Sequence, residues 1–326
     1  MSPSVGAVRS ALVTGAGGFV GANLVRRLTP EVTDVYCAVR PGGERWRLHN
    51  LARNAHVLEV DLTEHESVRG LVGRLQPEWV FNCAAYGAYP RQTDLTKALA
   101  VNLLGTVALV RACIEVGSKA IVHLGSSSEY GFKDHASGED EFIKPYSEYA
   151  ATKAAATVMV SYLGRAAGAP LSILRLYSVY GPWEDPQRLV PTLLSYASRG
   201  AWPPMAERTT ARDFVYVGDV TEALVCAARV AGRGESGRIF NVATGVQTTL
   251  ESLVGMVQKL FAVPDAPRWS RANRREWDSP VWFGRTDRTE LELGWLATTG
   301  LRDGLKLMYR WMQVDEVGRL VYGLSA

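Results

Sequence analysis

"LVTGAGGFVGANLVRRL", residues 12–28, decides the fold. An apolar run over 11–14 stops at Gly15, and Gly18 and Gly21 follow at three-residue spacing. Apolar residues then recur at Val20, Leu24, Val25 and Leu28, the spacing of one helix face. The pattern predicts a strand, a tight turn and a helix. Glycine permits the turn, lets backbone approach an anion closely, and lets the helix pack on the strand. The helix N-terminus then presents unpaired N–H groups to that anion. The stretch reads as the pyrophosphate site of a dinucleotide, built from Gly15, Gly18, Phe19, Val20 and Gly21.

Further apolar runs lie at 35–39, 57–60, 79–83, 120–124 and 171–176, and helical spacing recurs at 68–75, 98–116 and 150–167. Such alternation makes βαβ units and a parallel sheet with helices on both faces. Continuous apolar runs fit strands buried on both sides. Beyond Gly181 prolines crowd the chain as far as Pro204, and a further strand pair, 214–217 and 238–242, encloses a helix. Two more helical patterns, 250–261 and 301–312, flank a stretch rich in Arg and Trp. The expected fold class is α/β, a doubly wound parallel sheet of Rossmann type with a smaller, mostly C-terminal substrate-binding lobe. Residues 1–179 plus 213–244 are assigned to the dinucleotide-binding domain, and 180–212 plus 245–326 to the lobe.

The 326 residues carry a net charge of +3, with 47% hydrophobic and 21% charged residues, which argues against a nucleic-acid partner. The four cysteines, Cys37, Cys83, Cys113 and Cys226, are scattered and form no metal-ligand spacing, so no metal is expected. The chain enters its first strand without a charged n-region and apolar h-region, and no bilayer-length apolar segment is expected. A cytoplasmic location and no membrane partner follow as expectations.

"SEYAATK", 147–153, places Tyr149 and Lys153 four residues apart, on one face of a helix. A lysine ammonium beside a phenol favours the phenolate and lowers its pKa, which suits the tyrosine for acid–base work. "GSSSEYG", 125–131, sets Ser126, Ser127 and Ser128 past the end of the fifth strand, at the sheet edge where ligands of such folds bind. A hydroxyl there can hold a substrate oxygen beside the tyrosine. Ser126, Tyr149 and Lys153 are the candidate catalytic residues.

These segments, with Asp61-Leu62, "NCAA" at 82–85, Asn102, "LRLYSVYGP" at 174–182 and "RDFVYVGDV" at 212–220, span about two thirds of the chain. Together they resemble an extended short-chain dehydrogenase/reductase of the NAD-dependent epimerase/dehydratase family. The resemblance implies Asp61 and Leu62 near an adenine and Ala84 and Ala85 on the nicotinamide side. It implies Asn102 as a support for the active-site helix, and Lys153 on the nicotinamide ribose. Members act mostly on nucleotide-activated sugars, so a nucleotide-diphosphate sugar is the expected substrate and a homodimer the expected assembly. Ser126, Ser127, Ser128, Tyr149, Ser178, Arg188, Arg212 and Arg274 are the candidate substrate contacts, Arg212 and Arg274 for the diphosphate. Arginine suits that task because its planar fork donates two parallel bonds.

Departures from the family pattern narrow the reaction. The dehydratases carry an acid where this chain has Ser128, and Glu129 lies one place later, so water loss is not expected. A cysteine used there by a related NADP-dependent epimerase/reductase group is likewise absent, and the family's substrate asparagine is Ser178. Where many dinucleotide sites have a carboxylate at the end of the second strand, this chain has Arg40. Asp34 lies at the far end of that strand, roughly 20 Å away at the usual rise. An arginine at the strand end fits a 2′-phosphate, with Arg45 or Arg47 as a second contact and Glu44 a weaker ribose candidate. NADP(H) is therefore expected over NAD(H), and with it an NADP(H)-dependent reductase of a nucleotide-linked keto sugar, such as a 4-keto-6-deoxyhexose. A nucleotide-sugar epimerase that retains its cofactor is the alternative, and a non-catalytic NADP-binding sensor is the third reading.

Overall fold

The computed structural model describes residues 8–89, 91–233, 236–270 and 278–323. Its strands are β1 (Val8–Thr14), β2 (Val32–Val39), β3 (Ala55–Glu59), β4 (Trp79–Asn82), β5 (Ala120–Ser126), β6 (Leu171–Leu176), β7 (Ser178–Tyr180), β8 (Ala211–Arg212), β9 (Phe214–Tyr216), β10 (Arg238–Val242) and β11 (Thr248–Thr249). Its helices are α1 (Phe19–Leu28), α2 (His65–Leu75), α3 (Leu95–Ala98), α4 (Thr106–Glu115), α5 (Glu148–Ala167), α6 (Leu189–Ala197), α7 (Val217–Val230), α8 (Leu250–Phe261), α9 (Leu301–Val314) and α10 (Glu316–Tyr322).

Seven strands form one parallel sheet in the order β10-β6-β5-β4-β1-β2-β3. The order reverses between β1 and β4, so a crevice opens there at the carboxyl edge of the sheet. Alternate side chains sort to the two faces. Val13, Phe81 and Val122 pack with Leu24, Val25 and Leu28 of α1 and Val220 and Leu224 of α7. Leu12, Val80 and Ile121 pack with Leu71 and Val72 of α2, Leu109 and Val110 of α4 and Val160 of α5. A third apolar cluster joins Val190 and Leu194 of α6, Leu253 and Val257 of α8 and Leu305, Met308 and Met312 of α9.

Two details differ from the sequence reading. The segment after Asp213 does not enter the main sheet: β9 pairs with β7, and only β10 joins, beside β6. Proline and turn residues had hidden β7, the partner that takes β9. The second difference is the continuous 21-residue helix Leu95–Glu115, which is long and apolar enough to cross a bilayer by length and composition. Its middle, Leu99–Gly105, is π-helical. Leu109, Val110 and Cys113 face the sheet, and the buried Asn102 and Thr106 bond to other elements. Its apolar composition thus serves packing against α2, α5 and the sheet.

Candidate active site

Gly15 sits at φ +64°, and a Cβ there would lie 2.7 Å from Ala84 Cα and N. The turn after β1 therefore lies directly on the exit of β4, an approach only glycine allows. Gly18 N–H donates to the Gly15 carbonyl at 2.9 Å and precedes α1 with no side-chain cap, which leaves the helix N–H groups for a ligand. A Cβ on Gly21 would strike the Gly15 carbonyl. Phe19 and Val20 form the first turn of α1 and are half-buried. The cradle fits a pyrophosphate.

Arg40 lies just past β2, exposed, and its side chain has no hydrogen bond or ion pair among the described residues. It lies close enough to Asp61 to help hold that carboxyl below its ordinary value. The larger causes are the N–H and hydroxyl of Thr63, at 2.9 and 2.7 Å, and Lys97 contributes as well. Leu62 is buried, and its carbonyl lies 2.7 Å from where a Cβ of Gly105 would be. The neighbours expected to assist Arg40 are engaged elsewhere. Arg45 pairs with Glu59. Arg47 is buried, stacks on Trp46 and donates to the Trp183 carbonyl at 2.7 Å. Those ties span up to 136 residues, beyond what local sequence could reveal. Glu44 is exposed and 3.9 Å from Arg47, and Asp34 is bound to His56 at 2.9 Å.

Ser126 ends β5, and Tyr149 and Lys153 occupy the first two turns of α5, which Ser147 caps through the Ala150 N–H at 3.2 Å. Ser126 acts on the Tyr149 phenol in the lowering sense, and its hydroxyl meets the Ser128 hydroxyl at 2.7 Å. Asn102 accepts from Tyr86 N–H at 2.7 Å and donates to the Tyr86 carbonyl at 2.7 Å and to Thr152 Oγ1 at 2.9 Å. Thr152 in turn donates to the Tyr149 carbonyl at 2.9 Å. Asn102 thus joins the loop after Ala84 and Ala85 to the turn that carries Tyr149.

The electrostatics differ from the simple Tyr–Lys expectation. Lys153 is buried and donates to the Leu124 carbonyl at 2.5 Å, and burial pulls its pKa down to about 8. Tyr149 is raised, by burial first, with Ser126 acting in the opposite sense. The groups that lower the phenol are Ser126 and then Arg188, while the Lys153 head donates to a backbone carbonyl.

Ser127 accepts the Trp282 indole N–H at 3.2 Å. Trp282 also meets Tyr146 edge-on, and Tyr146 stacks on Phe132 with ring centres 4.5 Å apart. Glu129 is sealed from solvent. It is fully buried, accepts from Ser126 N–H at 2.7 Å, Thr157 Oγ1 at 3.1 Å and Arg175 Nε at 2.8 Å, and so serves as an anchor for the serine turn. No acid stands at Ser128.

On the lobe side, Ser178 opens β7, and its N–H donates to the Asp213 carbonyl at 2.9 Å. Arg188 precedes α6 and lies 3.5 Å from the Ala88 carbonyl and 3.8 Å from Glu184. Both Arg188 and Tyr89 act on the Tyr149 phenol, so they share its surroundings. Arg212 donates to Asp278 at 2.7 Å and lies over the Trp282 ring at 5.7 Å. The expected contact Arg274 lies outside the described residues.

The match to known proteins follows this geometry. The model of the NAD-dependent epimerase/dehydratase family matches residues 11–243. The chain belongs to that family. It is an enzyme of the extended short-chain dehydrogenase/reductase type, dependent on a pyridine nucleotide. A UDP-glucose 4-epimerase of Mycolicibacterium smegmatis is 30% identical over 90% of this chain and 95% of its own length. An Arabidopsis thaliana trifunctional enzyme, a UDP-glucose 4,6-dehydratase, UDP-4-keto-6-deoxy-D-glucose 3,5-epimerase and UDP-4-keto-L-rhamnose-reductase, is 26% identical over 93% of this chain and 47% of its own length. MoeE5 in complex with UDP-glucose and NAD superimposes with a TM-score of 0.79 at 29% identity, over 93% of this chain and 98% of that one.

Within this family frame, Trp282, Tyr146 and Glu184 are neighbours of the site that motif reading did not single out. Trp282 and Ser127 are 155 residues apart in sequence, and nothing local to either marks the contact. Glu184 lies within the proline-rich stretch that gave no periodic signal.

Proposed function

We propose that this enzyme is a nucleotide-sugar 4-epimerase that retains its pyridine nucleotide. The observation that carries the reading is Ser126, at the end of β5, acting on the Tyr149 phenol one helical turn before buried Lys153, with Glu129 bonded to Arg175 and no acid at Ser128. Such a site can move a proton on and off one sugar hydroxyl and lacks the extra acid that water loss needs. The likeness to a UDP-glucose 4-epimerase over nearly its whole length supports the same reading.

When bound, the nicotinamide supplies reversible hydride acceptance. Tyr149 takes the proton of the sugar hydroxyl and later returns it. Ser126 holds the same oxygen as it becomes a carbonyl. Inversion requires the keto sugar to present its other face before reduction. The Lys153 ammonium positions the ribose and keeps positive potential near the phenol. Arg188 and Arg212 clamp the diphosphate, with Ser127, Ser128 and Ser178 along the sugar, the lobe closing over a UDP- or dTDP-linked substrate.

A second reading, an NADP(H)-dependent 4-keto sugar reductase, is favoured by Arg40, a cation without a protein partner among the described residues at the place suited to a 2′-phosphate. Steady-state assay separates the two. Interconversion of UDP-sugars without net cofactor change supports the epimerase; stoichiometric NADPH consumption with a keto-sugar nucleotide supports the reductase. Leu99, Leu104, Val158 and Tyr162 are exposed on two helices that pack together, apolar surface that suits a homodimer.

A further inference from the structure

The loop from Gly181 to Arg188 holds a buried acid that the reaction above does not use. Next to it, Trp183 sits at φ +70°, a left-handed conformation that a bulky residue adopts only when its surroundings hold it there. Contacts from distant segments do so. Arg26 of α1 lies over the Trp183 ring at 4.0 Å, and Arg47 donates to the Trp183 carbonyl at 2.7 Å. Asn23 of α1 donates to the Pro182 carbonyl at 2.9 Å. Tyr322, at the end of α10, donates to the Glu184 carbonyl at 2.5 Å. The loop is thus pinned with the Glu184 side chain inside, 7% exposed.

The groups around that carboxyl leave it one loose partner. Oε1 lies 3.8 Å from Arg188 Nε, within ion-pair range but too far for a hydrogen bond, and Oε2 has no partner among the described residues. Asp185 is engaged by Arg91 at 3.3 Å and by the Gln187 N–H at 2.9 Å. Arg47 is turned to the Trp183 carbonyl. The Gly181 N–H and the phenols of Tyr89 and Tyr322 complete the surroundings. Burial first, with Asp185 in the same sense and Arg188, the Gly181 N–H and Arg47 against it, pushes the carboxyl up to about 8. At neutral pH Glu184 therefore keeps its proton. Arg188, half-exposed and acting on the Tyr149 phenol, then has no ionised acid within ion-pair distance among the described residues.

We propose that Glu184 is a positioning residue for the substrate diphosphate: as a neutral acid it leaves the Arg188 guanidinium free for the phosphates, and as a carboxylate it draws that guanidinium back. The proposal rests on the reading above that Arg188 clamps the diphosphate. Binding of the anion then favours the protonated acid, so the complex takes up a proton where the free enzyme has lost it.

Titration calorimetry with UDP-glucose and dTDP-glucose, in buffers of different ionisation enthalpy, measures that uptake. At about pH 8.5 the wild type should take up roughly half a proton per site more than Glu184→Gln, the linkage expected if binding raises the carboxyl by about one pH unit. The difference between the two proteins separates Glu184 from Lys153, which titrates in the same range. Wild-type affinity should fall about 5- to 10-fold from pH 7 to pH 9, and in Glu184→Gln, which has no proton to lose, this fall should vanish. In steady-state assays the variant should flatten the rise of KM with pH and leave the Lys153 limb of kcat in place. Arg188→Met should bind more weakly at pH 7 and also lose the extra uptake. Equal proton uptake in wild type and Glu184→Gln, wild-type affinity constant from pH 7 to pH 9, or uptake retained in Arg188→Met would overturn the proposal. A wild type that binds neither nucleotide sugar would instead overturn the diphosphate reading, and this proposal with it.

Discussion

Arg175→Met tests the anchor beneath Ser126. The Arg175 and Glu129 side chains are 3% and 0% exposed and meet at 2.8 Å. Arg175 also lies over the Tyr130 ring at 4.4 Å and donates to the Glu139 carbonyl at 3.2 Å. Removing the guanidinium leaves the Glu129 carboxylate buried with only two neutral donors, the Ser126 N–H and Thr157 hydroxyl. Stranding one charge of a buried pair costs about 3–5 kcal/mol. Methionine fills most of the volume, so the loss is electrostatic more than cavity. Glu129→Gln added to Arg175→Met removes the stranded charge while keeping an acceptor for both donors. The double variant should therefore recover about 1–3 kcal/mol relative to additive losses, a coupling energy of ordinary size for groups in direct contact. Urea denaturation of the four proteins in the cycle measures this. A loss below about 1 kcal/mol for Arg175→Met, or strict additivity, would refute the reasoning that this pair is a charge-compensated anchor.

Activity should decline as pH rises through about 8, because burial brings the Lys153 ammonium to its titration point there, and a pH–rate profile reads this limb. Arg40→Asp should weaken NADPH binding about 10- to 100-fold with little change for NADH, measured by fluorescence titration, if the arginine holds a 2′-phosphate through charged hydrogen bonds. Glu184 is buried, with Oε2 lacking a protein partner among the described residues, and its pKa is pushed up to about 8. The folded state then keeps a proton that the unfolded chain releases, so stability falls between the ordinary carboxylate range and about pH 8 and is flat above. Glu184→Gln should remove that fall, as denaturation at several pH values would show.

The sheet and the placing of Ser126, Tyr149 and Lys153 at its carboxyl edge were legible because their signals are local. Strand runs, the glycine spacing and the Tyr149–Lys153 interval all lie within a few residues of one another. Asn102 was legible only through family resemblance, and the structure supplies its reason, the bridge from Tyr86 to Thr152. What stayed hidden depends on contacts between distant segments. Glu129 reads as a loop acid until Arg175, 46 residues on, is seen to pair with it. Arg45 and Arg47 read as spare cations until Glu59 and the Trp183 carbonyl claim them. The helical interval of Tyr149 and Lys153 does not show where the lysine head donates, and the Leu124 carbonyl accepts from this one. The apolar helix from 95 to 115 shows the same limit. Its π-helical turn and buried Asn102 are set by packing, which hydrophobic spacing alone does not encode.

The central claim is reversible hydride transfer at one sugar carbon with no loss of water. The most direct measurement is NMR of UDP-glucose and UDP-glucuronic acid, each deuterated at carbon 4, after incubation with the purified enzyme and with Tyr149→Phe. The account predicts the 4-epimer with deuterium kept at carbon 4, no 6-deoxy product, and loss of conversion in the variant. Exchange of the carbon-4 deuterium for solvent hydrogen, a 4-keto-6-deoxy product, or full conversion by Tyr149→Phe would contradict it.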